Sequence, residues 1–145
     1  MRRLDINTLA IIGAGKIGSA IINAVKKFDP DLVIIATVGE RKHLYRPALL
    51  VQSLHVIIEE ADFIVLSVKP HHFPAVLKRV GRDPWSSKIV LSVMAGIRLS
   101  TLEEVLRGAG VYRAMPNINA LVGLSATAVA SNINDGRGRE IVENY

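Results

Sequence analysis

The sequence predicts an α/β protein, a doubly wound parallel sheet with helices on both faces, in a single domain that spans residues 1–145. Three observations support this fold class. Short apolar runs alternate with segments of helical periodicity along the chain. A glycine-rich turn follows the first of these runs. Half of the 145 residues are hydrophobic and 21% are charged, which is enough apolar material for one buried core.

The first half of the chain is predicted to contain three strands separated by two helices. The strands lie at Leu9–Ile12, Leu32–Thr37 and Phe63–Val68. The middle strand is apolar almost throughout, which is typical of a strand buried on both faces. The first helix runs from about Lys16 to Lys27 and is followed by a break at Phe28–Asp31, which contains Pro30. The second helix is predicted because apolar residues recur at helical spacing at Leu50, Leu54, Ile57, Ile58 and Ala61, and it should end near Glu60.

The second half continues the alternation. Lys69-Pro70 ends the third strand, because proline has no amide to donate to a ladder. Ser100, with Glu103 three residues later, predicts a helix that begins with a capping box. The remaining predicted elements are a short helix at Phe73–Val80, strands at Lys88–Val93 and Val111–Ala114, a sixth element at Ala126–Ala130, and the start of a helix at Glu140–Tyr145.

The composition argues against several classes of function. No apolar run reaches the roughly 18 residues of a membrane span, and the chain has no cysteine for a disulfide, a thiolate metal site or a nucleophile. A cytoplasmic protein is expected. The basic residues behind the net charge of +5 are scattered, which argues against a nucleic-acid partner. His71 and His72 have no acid at metal-ligand spacing, so no metal site is expected and both are read as exposed residues at a helix start.

The segment Gly13-Ala14-Gly15-Lys16-Ile17-Gly18 has the form G-x-G-x-x-G between a predicted strand and a predicted helix. This is the context of a Rossmann dinucleotide-binding turn. Gly13 would turn the chain, Gly15 would admit a pyrophosphate, and Gly18 would let the helix pack closely on the strand. The positive helix end favours the phosphates, and Lys16 can add charge or remain a solvated lysine. The alternative is a glycine turn in an α/β domain without a ligand.

The end of the second strand bears on the choice between NADP and NAD. An NAD site places an acid about twenty residues beyond the glycines, and Thr37 and Val38 stand near that position instead. The Thr37 hydroxyl, with Arg41 and the neighbouring Lys42 and His43, can bind a 2′-phosphate. NADP(H) is therefore expected. Glu40 keeps NAD as the alternative, because a small shift of the loop would bring its carboxylate to the ribose.

Together with the glycine turn, three later segments resemble a known family. They are ADFIVLSVKP at residues 61–70, LSVMAGI at 91–97, and RAMPN at 113–117 followed by ALVG at 120–123. In this order and spacing they are similar to the N-terminal domain of pyrroline-5-carboxylate reductase, the enzyme that makes proline. The resemblance covers almost the whole chain, and Met115-Pro116-Asn117 is its most specific part.

The resemblance implies a domain that holds NADP(H) for hydride transfer to a ring C=N bond. It implies that the pyrophosphate is wrapped by Ile12, Gly13, Ala14, Gly15, Lys16 and Ile17. It places Ser67, Val68, Lys69 and Pro70 along the nicotinamide half of the cofactor, and Met94, Ala95 and Gly96 near the ring. All follow the carboxyl ends of predicted strands, where ligands bind in open α/β sheets. Asn117, after the fifth strand, would bind the carboxamide or order its loop.

The sequence also departs from the family pattern. Ile118-Asn119 stands where the family usually has Thr-Pro, and Leu124-Ser125 replaces a polar residue and glycine. The family's second, helical domain builds the substrate pocket, supplies the proton-donating hydroxyl and makes the dimer, and it is absent from these 145 residues. No catalytic residue is therefore assigned. Self-association is expected, because the surface that would meet the missing domain is left partly apolar.

Three functions remain open at this point. The first is the cofactor domain of a pyrroline-5-carboxylate reductase-like enzyme, with pyrroline-5-carboxylate or proline as the other ligand. The second is a stand-alone nucleotide-binding module without activity. The third is another NADP-dependent reductase of related architecture, such as a deazaflavin-dependent NADP reductase or a prephenate dehydrogenase. The Met-Pro-Asn segment counts against the third.

Overall fold

The computed structural model describes residues 6–37, 48–50, 53–116, 127–133 and 136–144. Its strands are β1 (Thr8–Ile12), β2 (Val33–Thr37), β3 (Leu49–Leu50), β4 (Phe63–Leu66), β5 (Ile89–Ser92), β6 (Gly110–Met115) and β7 (Ala128–Ala130). Its α-helices are α1 (Lys16–Phe28), α2 (Leu54–Glu60), α3 (Phe73–Val80), α4 (Leu99–Val105) and α5 (Gly136–Asn144). Short 3-10 turns lie at Pro70–His72 and Asp83–Trp85.

Within the described residues, the strands form one seven-stranded sheet in the order β3-β2-β1-β4-β5-β6-β7. All neighbours pair in parallel except β6 and β7, which are antiparallel. The chain builds the sheet outwards from β1 to β3, then returns to the other side of β1 with β4. This reversal makes a switch point between the carboxyl ends of β1 and β4, the place where open α/β sheets bind ligands. The predicted doubly wound sheet is confirmed.

The helices cover the two faces of the sheet, and alternate residues of each strand reach opposite cores. Ala10 and Ile12 of β1 pack with buried residues of α2, α3 and α4. Leu9 and Ile11 pack on the other face, with buried residues of α1 and α5. Trp85 is fully buried in the first core, and its indole N–H donates to the carbonyl of Gly81 at 3.0 Å. None of the helices in the described ranges is long and apolar enough to cross a membrane.

The predicted helix through Leu50 and Ala61 is shorter than its periodicity indicated. Leu50 belongs to β3, where it pairs with Ala36 of β2. Helix α2 begins only after Ser53, whose hydroxyl accepts a hydrogen bond from the Val56 amide at 3.5 Å. Pairing at the sheet edge therefore overrides the helical spacing at Leu50.

The predicted capping box at Ser100 is wrong. The N-cap of α4 is Arg98, and within the described residues that cap makes no side-chain hydrogen bond. Ser100 lies inside the helix, so its hydroxyl is not at the position from which it could cap the first amides. The Glu103 carboxylate instead accepts from the side-chain amide of Asn132 at 2.9 Å. Helix α5 also begins earlier than predicted, at Gly136.

Candidate functional site

The glycine turn joins β1 to α1 at the switch point, and two of its glycines are fixed by close packing. Gly13 has a φ of +96°, and a Cβ there would lie 2.7 Å from the amide nitrogen and from Cγ1 of Val68. A Cβ on Gly18 would lie 2.5 Å from the carbonyl oxygen of Gly13 and 2.8 Å from Oγ of Ser67. Neither position has room for a side chain. The predicted roles of Gly13 in turning the chain and of Gly18 in close packing agree with this geometry.

Gly15 has the opposite surroundings. In the described part of the chain no heavy atom lies within 4 Å of the position that its Cβ would take, apart from its immediate chain neighbours. Gly15 is the N-cap of α1, and among the described residues that cap makes no side-chain hydrogen bond. The first turn of the helix contains no acidic residue. The first amides of the helix lack intrahelical partners, and the space beside Gly15 at this positive end of the helix is open, as an anion site requires.

Two hydroxyl groups hold the turn from the strands on either side. Thr37 is the last residue of β2. Its Oγ1 accepts a hydrogen bond from the Gly13 amide at 2.9 Å, and its carbonyl accepts one from the Ala14 amide at 2.9 Å. Ser67, just after β4, donates its hydroxyl to the carbonyl of Gly13 at 2.6 Å. The amides of Gly13 and Ala14 are thus engaged inside the protein, and the open amides are those at the start of α1.

The register of the sheet brings the other predicted segments to the same edge. Ile12 pairs with Leu66, and Leu66 pairs with Ser92, so the chain leaves β1, β4 and β5 at one level. The glycine turn, Ser67–Pro70 and Met94–Gly96 consequently lie at the ends of three adjacent strands. The sequence prediction that these segments share one edge is confirmed. Their contact with a cofactor stays a prediction.

The segment after β4 is exposed at its outer end. Lys69 and Pro70 are exposed, whereas Ser67 and Val68 are half-buried against the glycine turn. His71 and His72 are exposed in the 3-10 turn that leads into α3, with ring centroids 4.2 Å apart in an edge-on arrangement. Their predicted position at a helix start is confirmed. Lys69, like Lys16 at the start of α1, presents its charge to solvent.

Three predicted site residues have buried side chains. These side chains can support the ligand-binding edge of the sheet but are not exposed at it. Ile12, Ala14 and Met94 are 1%, 2% and 2% exposed. Met94 donates its amide to the hydroxyl of fully buried Ser92 at 3.3 Å. Ala95 and Gly96 follow as exposed residues, Gly96 with a φ of +72°. Arg41 and Asn117 lie outside the described residues.

Sequence reasoning missed the way in which hydroxyls shape this edge. Thr37 and Ser67 were predicted as cofactor ligands, and Ser92 was not singled out. All three end a strand or directly follow one, and all three hydrogen-bond to backbone of a glycine-containing loop. A lone hydroxyl residue at the carboxyl end of a buried apolar strand is the signal that could have identified them.

Comparison with known families places this site in context. Residues 8–96, more than half of the chain, match the family described as NADP oxidoreductase, coenzyme F420-dependent. The chain belongs to this oxidoreductase family. The match begins at β1 and ends at Gly96, so it contains the glycine turn and both neighbouring segments.

The chain is also similar to pyrroline-5-carboxylate reductases. The reductase of Methanosarcina acetivorans is 34% identical over an alignment of 137 residues, and this alignment covers 87% of this chain and 50% of that protein. The crystal structure of the Streptococcus pyogenes reductase has a TM-score of 0.76 at 26% identity, covering 94% of this chain and 54% of that one. The Plasmodium falciparum reductase, solved with NADP bound, has a TM-score of 0.83 at 23% identity, covering 97% and 54%.

The comparisons confirm the resemblance predicted from the sequence. The curated matches run past the end of the family match, because 137 residues are aligned with the Methanosarcina acetivorans protein. The chain spans about half the length of the curated relatives that it matches.

Proposed function

We propose that this chain is the NADP(H)-binding domain of a pyrroline-5-carboxylate reductase-like oxidoreductase of proline biosynthesis. The observation that carries the proposal is the open, uncapped start of α1 at the switch point of the sheet, between the ends of β1 and β4. A pyrophosphate would be bound there because Gly15 leaves space for it and the amides of the first helical turn supply donors.

The other residues of the edge have separate tasks under this proposal. The backbone of Ser67–Pro70 and Met94–Gly96 orients the nicotinamide half, since both segments follow strands adjacent to the turn. Arg41 binds the 2′-phosphate. When bound, NADPH supplies the hydride for a ring C=N bond, and the protein contributes position and electrostatics.

Two other functions stay in competition. An NADP-dependent reductase that uses a deazaflavin is favoured by the description of the matched family. Against it, that match ends at Gly96, before the Met115-Pro116 segment, whereas the similarity to pyrroline-5-carboxylate reductases continues beyond it. A nucleotide-binding module without activity is the remaining alternative. Sequencing the gene beyond the codon for Tyr145 tests it, because an in-frame helical continuation favours the reductase.

The purified chain is expected to bind NADPH more tightly than NADH. Thr37 and Val38 stand where an acid would hold the NAD ribose, and Arg41 offers a charge-assisted contact to the 2′-phosphate. Arg41→Ala should weaken the binding of NADPH by about 1 to 3 kcal/mol and leave the binding of NADH unchanged. Titration of cofactor fluorescence measures both. Arg79→Ala, on an exposed position near the far end of α3, is the matched control. Equal affinities of the unaltered chain for the two cofactors would refute the NADP assignment.

The 145-residue chain by itself is expected to bind NADPH without measurable reduction of pyrroline-5-carboxylate. The resemblance places the substrate pocket and proton donor in a second domain, and hydride transfer needs the imine carbon held in a near-attack geometry. A steady-state assay with NADPH and pyrroline-5-carboxylate measures this. Turnover at roughly 1 to 1000 per second, the usual range for enzymes, would show that these residues suffice.

A further inference from the structure

The two peptide groups that flank the Cα of Gly13 are each bound by a hydroxyl group at the point where the sheet ends. The Gly13 amide is bound by the Thr37 hydroxyl at 2.9 Å and the Gly13 carbonyl by the Ser67 hydroxyl at 2.6 Å. The two hydroxyls belong to the strands that flank β1 in the sheet. Each of these bonds joins parts of the chain that are far apart in sequence, 24 residues for Thr37 and 54 for Ser67.

The strand pairing of the sheet does not extend to Gly13. The paired residues of β1 end at Ile12, opposite Thr37 on one side and Leu66 on the other. Gly13 is the first residue beyond them, with a φ of +96°. Glycine is free to leave this conformation, because it populates negative φ as readily as positive φ. Beyond the paired residues, the Ala14 amide donates to the Thr37 carbonyl at 2.9 Å, and the two hydroxyls add one further hydrogen bond on each side of the Gly13 Cα.

The same bonds determine which amides remain for a ligand. The Thr37 side chain accepts a hydrogen bond from the Gly13 amide, and the Thr37 carbonyl accepts one from the Ala14 amide. The carbonyl of Gly13 is turned towards Ser67 and lies 2.5 Å from the position of a Cβ on Gly18, so the first turn of α1 sits directly on it. The orientation of the Gly13 carbonyl thus sets the direction in which the helix start points.

We propose that Ser67 and Thr37 are positioning residues that hold the two peptide groups on either side of the Gly13 Cα and so aim the first amides of α1 at the cofactor pyrophosphate. The inference rests on the proposed function and extends it to two side chains that need not touch the cofactor. A purely architectural role would affect the stability of the fold. A positioning role affects the affinity for ligands that carry a pyrophosphate, and spares ligands that bind elsewhere on the same edge.

The test compares three probes: NADPH, inorganic pyrophosphate, and adenosine 2′-monophosphate, which has no pyrophosphate. Ser67→Ala and Thr37→Val should each raise the dissociation constants of NADPH and pyrophosphate about tenfold, the effect of one lost hydrogen bond. Adenosine 2′-monophosphate should stay within about twofold. Thr37→Ser, which keeps the oxygen, should restore the affinity. Ser131→Ala is the matched control, because it removes a hydroxyl that donates to the Val111 carbonyl at 2.8 Å, away from the turn.

The outcomes separate this inference from the proposed function. If the unaltered chain binds neither NADPH nor pyrophosphate, both the proposed function and this inference are refuted. If the unaltered chain binds them and both variants bind equally well, the inference alone is refuted. If Thr37→Val weakens adenosine 2′-monophosphate as much as NADPH, Thr37 is a direct ligand and its positioning role is wrong. Should Ser67→Ala fail to fold, Thr37→Val still tests the proposal, because Thr37 binds the backbone of Gly13 from the strand on the other side of β1.

Discussion

Gly15→Val is expected to abolish measurable dinucleotide binding while leaving a folded domain. Gly15 has a φ of −78° and a ψ of −151°, so valine avoids the left-handed strain that it would meet at Gly13. Its side chain would enter space that the described protein atoms leave empty. That space is where the backbone must approach the pyrophosphate. The affinity for NADPH should fall at least about a hundredfold, or about 2.7 kcal/mol.

Fluorescence titration with NADPH and thermal melting followed by circular dichroism test this expectation together. Gly136→Val is the matched control, since Gly136 also has no described heavy atom within 4 Å of its Cβ position and begins a helix remote in sequence from the turn. It should bind NADPH normally. A Gly15→Val chain with near-normal melting and intact NADPH binding would place the phosphate site elsewhere.

The positions of the central strands along the chain were predictable because buried parallel strands have a strong sequence signature. Near-continuous apolar runs such as Ile34–Ala36 and Phe63–Leu66 are covered on both faces, so nearly every position is apolar. Helix α3 was predicted with its observed ends, since Gly81 and Pro70 mark both sides. These signals are local and need no knowledge of the partner strands.

The ends of the strands were less predictable, because they depend on the neighbour. Val68 has strong strand propensity and was predicted to belong to β4, yet β4 stops at Leu66. Its partner β1 has ended at Ile12, where Gly13 turns away, so the ladder has nothing to continue against. Val68 packs against Gly13 instead. The prediction that Leu50 lies in a helix was wrong for a related reason. Its spacing fits a helix, but it pairs with the edge of β2 instead.

The candidate site shows the same division. Which segments meet could be predicted, because parallel strands deliver their carboxyl ends to one edge. The tasks of individual side chains could not. The bond from Ser67 to Gly13 spans 54 residues and depends on the exact register of two strands. No local pattern distinguishes a hydroxyl that binds a cofactor from one that orients the turn beneath it.

Gly18→Val is expected to destabilise the fold itself, in contrast to the same substitution three residues earlier at Gly15. A Cβ at Gly18 would meet the Gly13 carbonyl oxygen at 2.5 Å, Ser67 Oγ at 2.8 Å and Ile11 Cγ2 at 3.1 Å. The first contact is with backbone that Ser67 holds in place, so it cannot rotate away. Valine gains roughly 0.5 kcal/mol of helix propensity over glycine, which is small beside the cost of overpacking a tight contact, about 3 kcal/mol.

Urea unfolding measures the difference directly, with Gly15→Val as the matched control and Asn23→Ala as a control at an exposed position of α1. The free energy of unfolding should fall by about 2 to 3 kcal/mol for Gly18→Val. It should change by less than about 0.5 kcal/mol for Asn23→Ala. Adding Ser67→Ala to Gly18→Val should recover only part of the loss, because the Gly13 carbonyl still blocks the Cβ. A Gly18→Val chain as stable as the unaltered protein would mean that α1 does not sit on the glycine turn as closely as the structure places it.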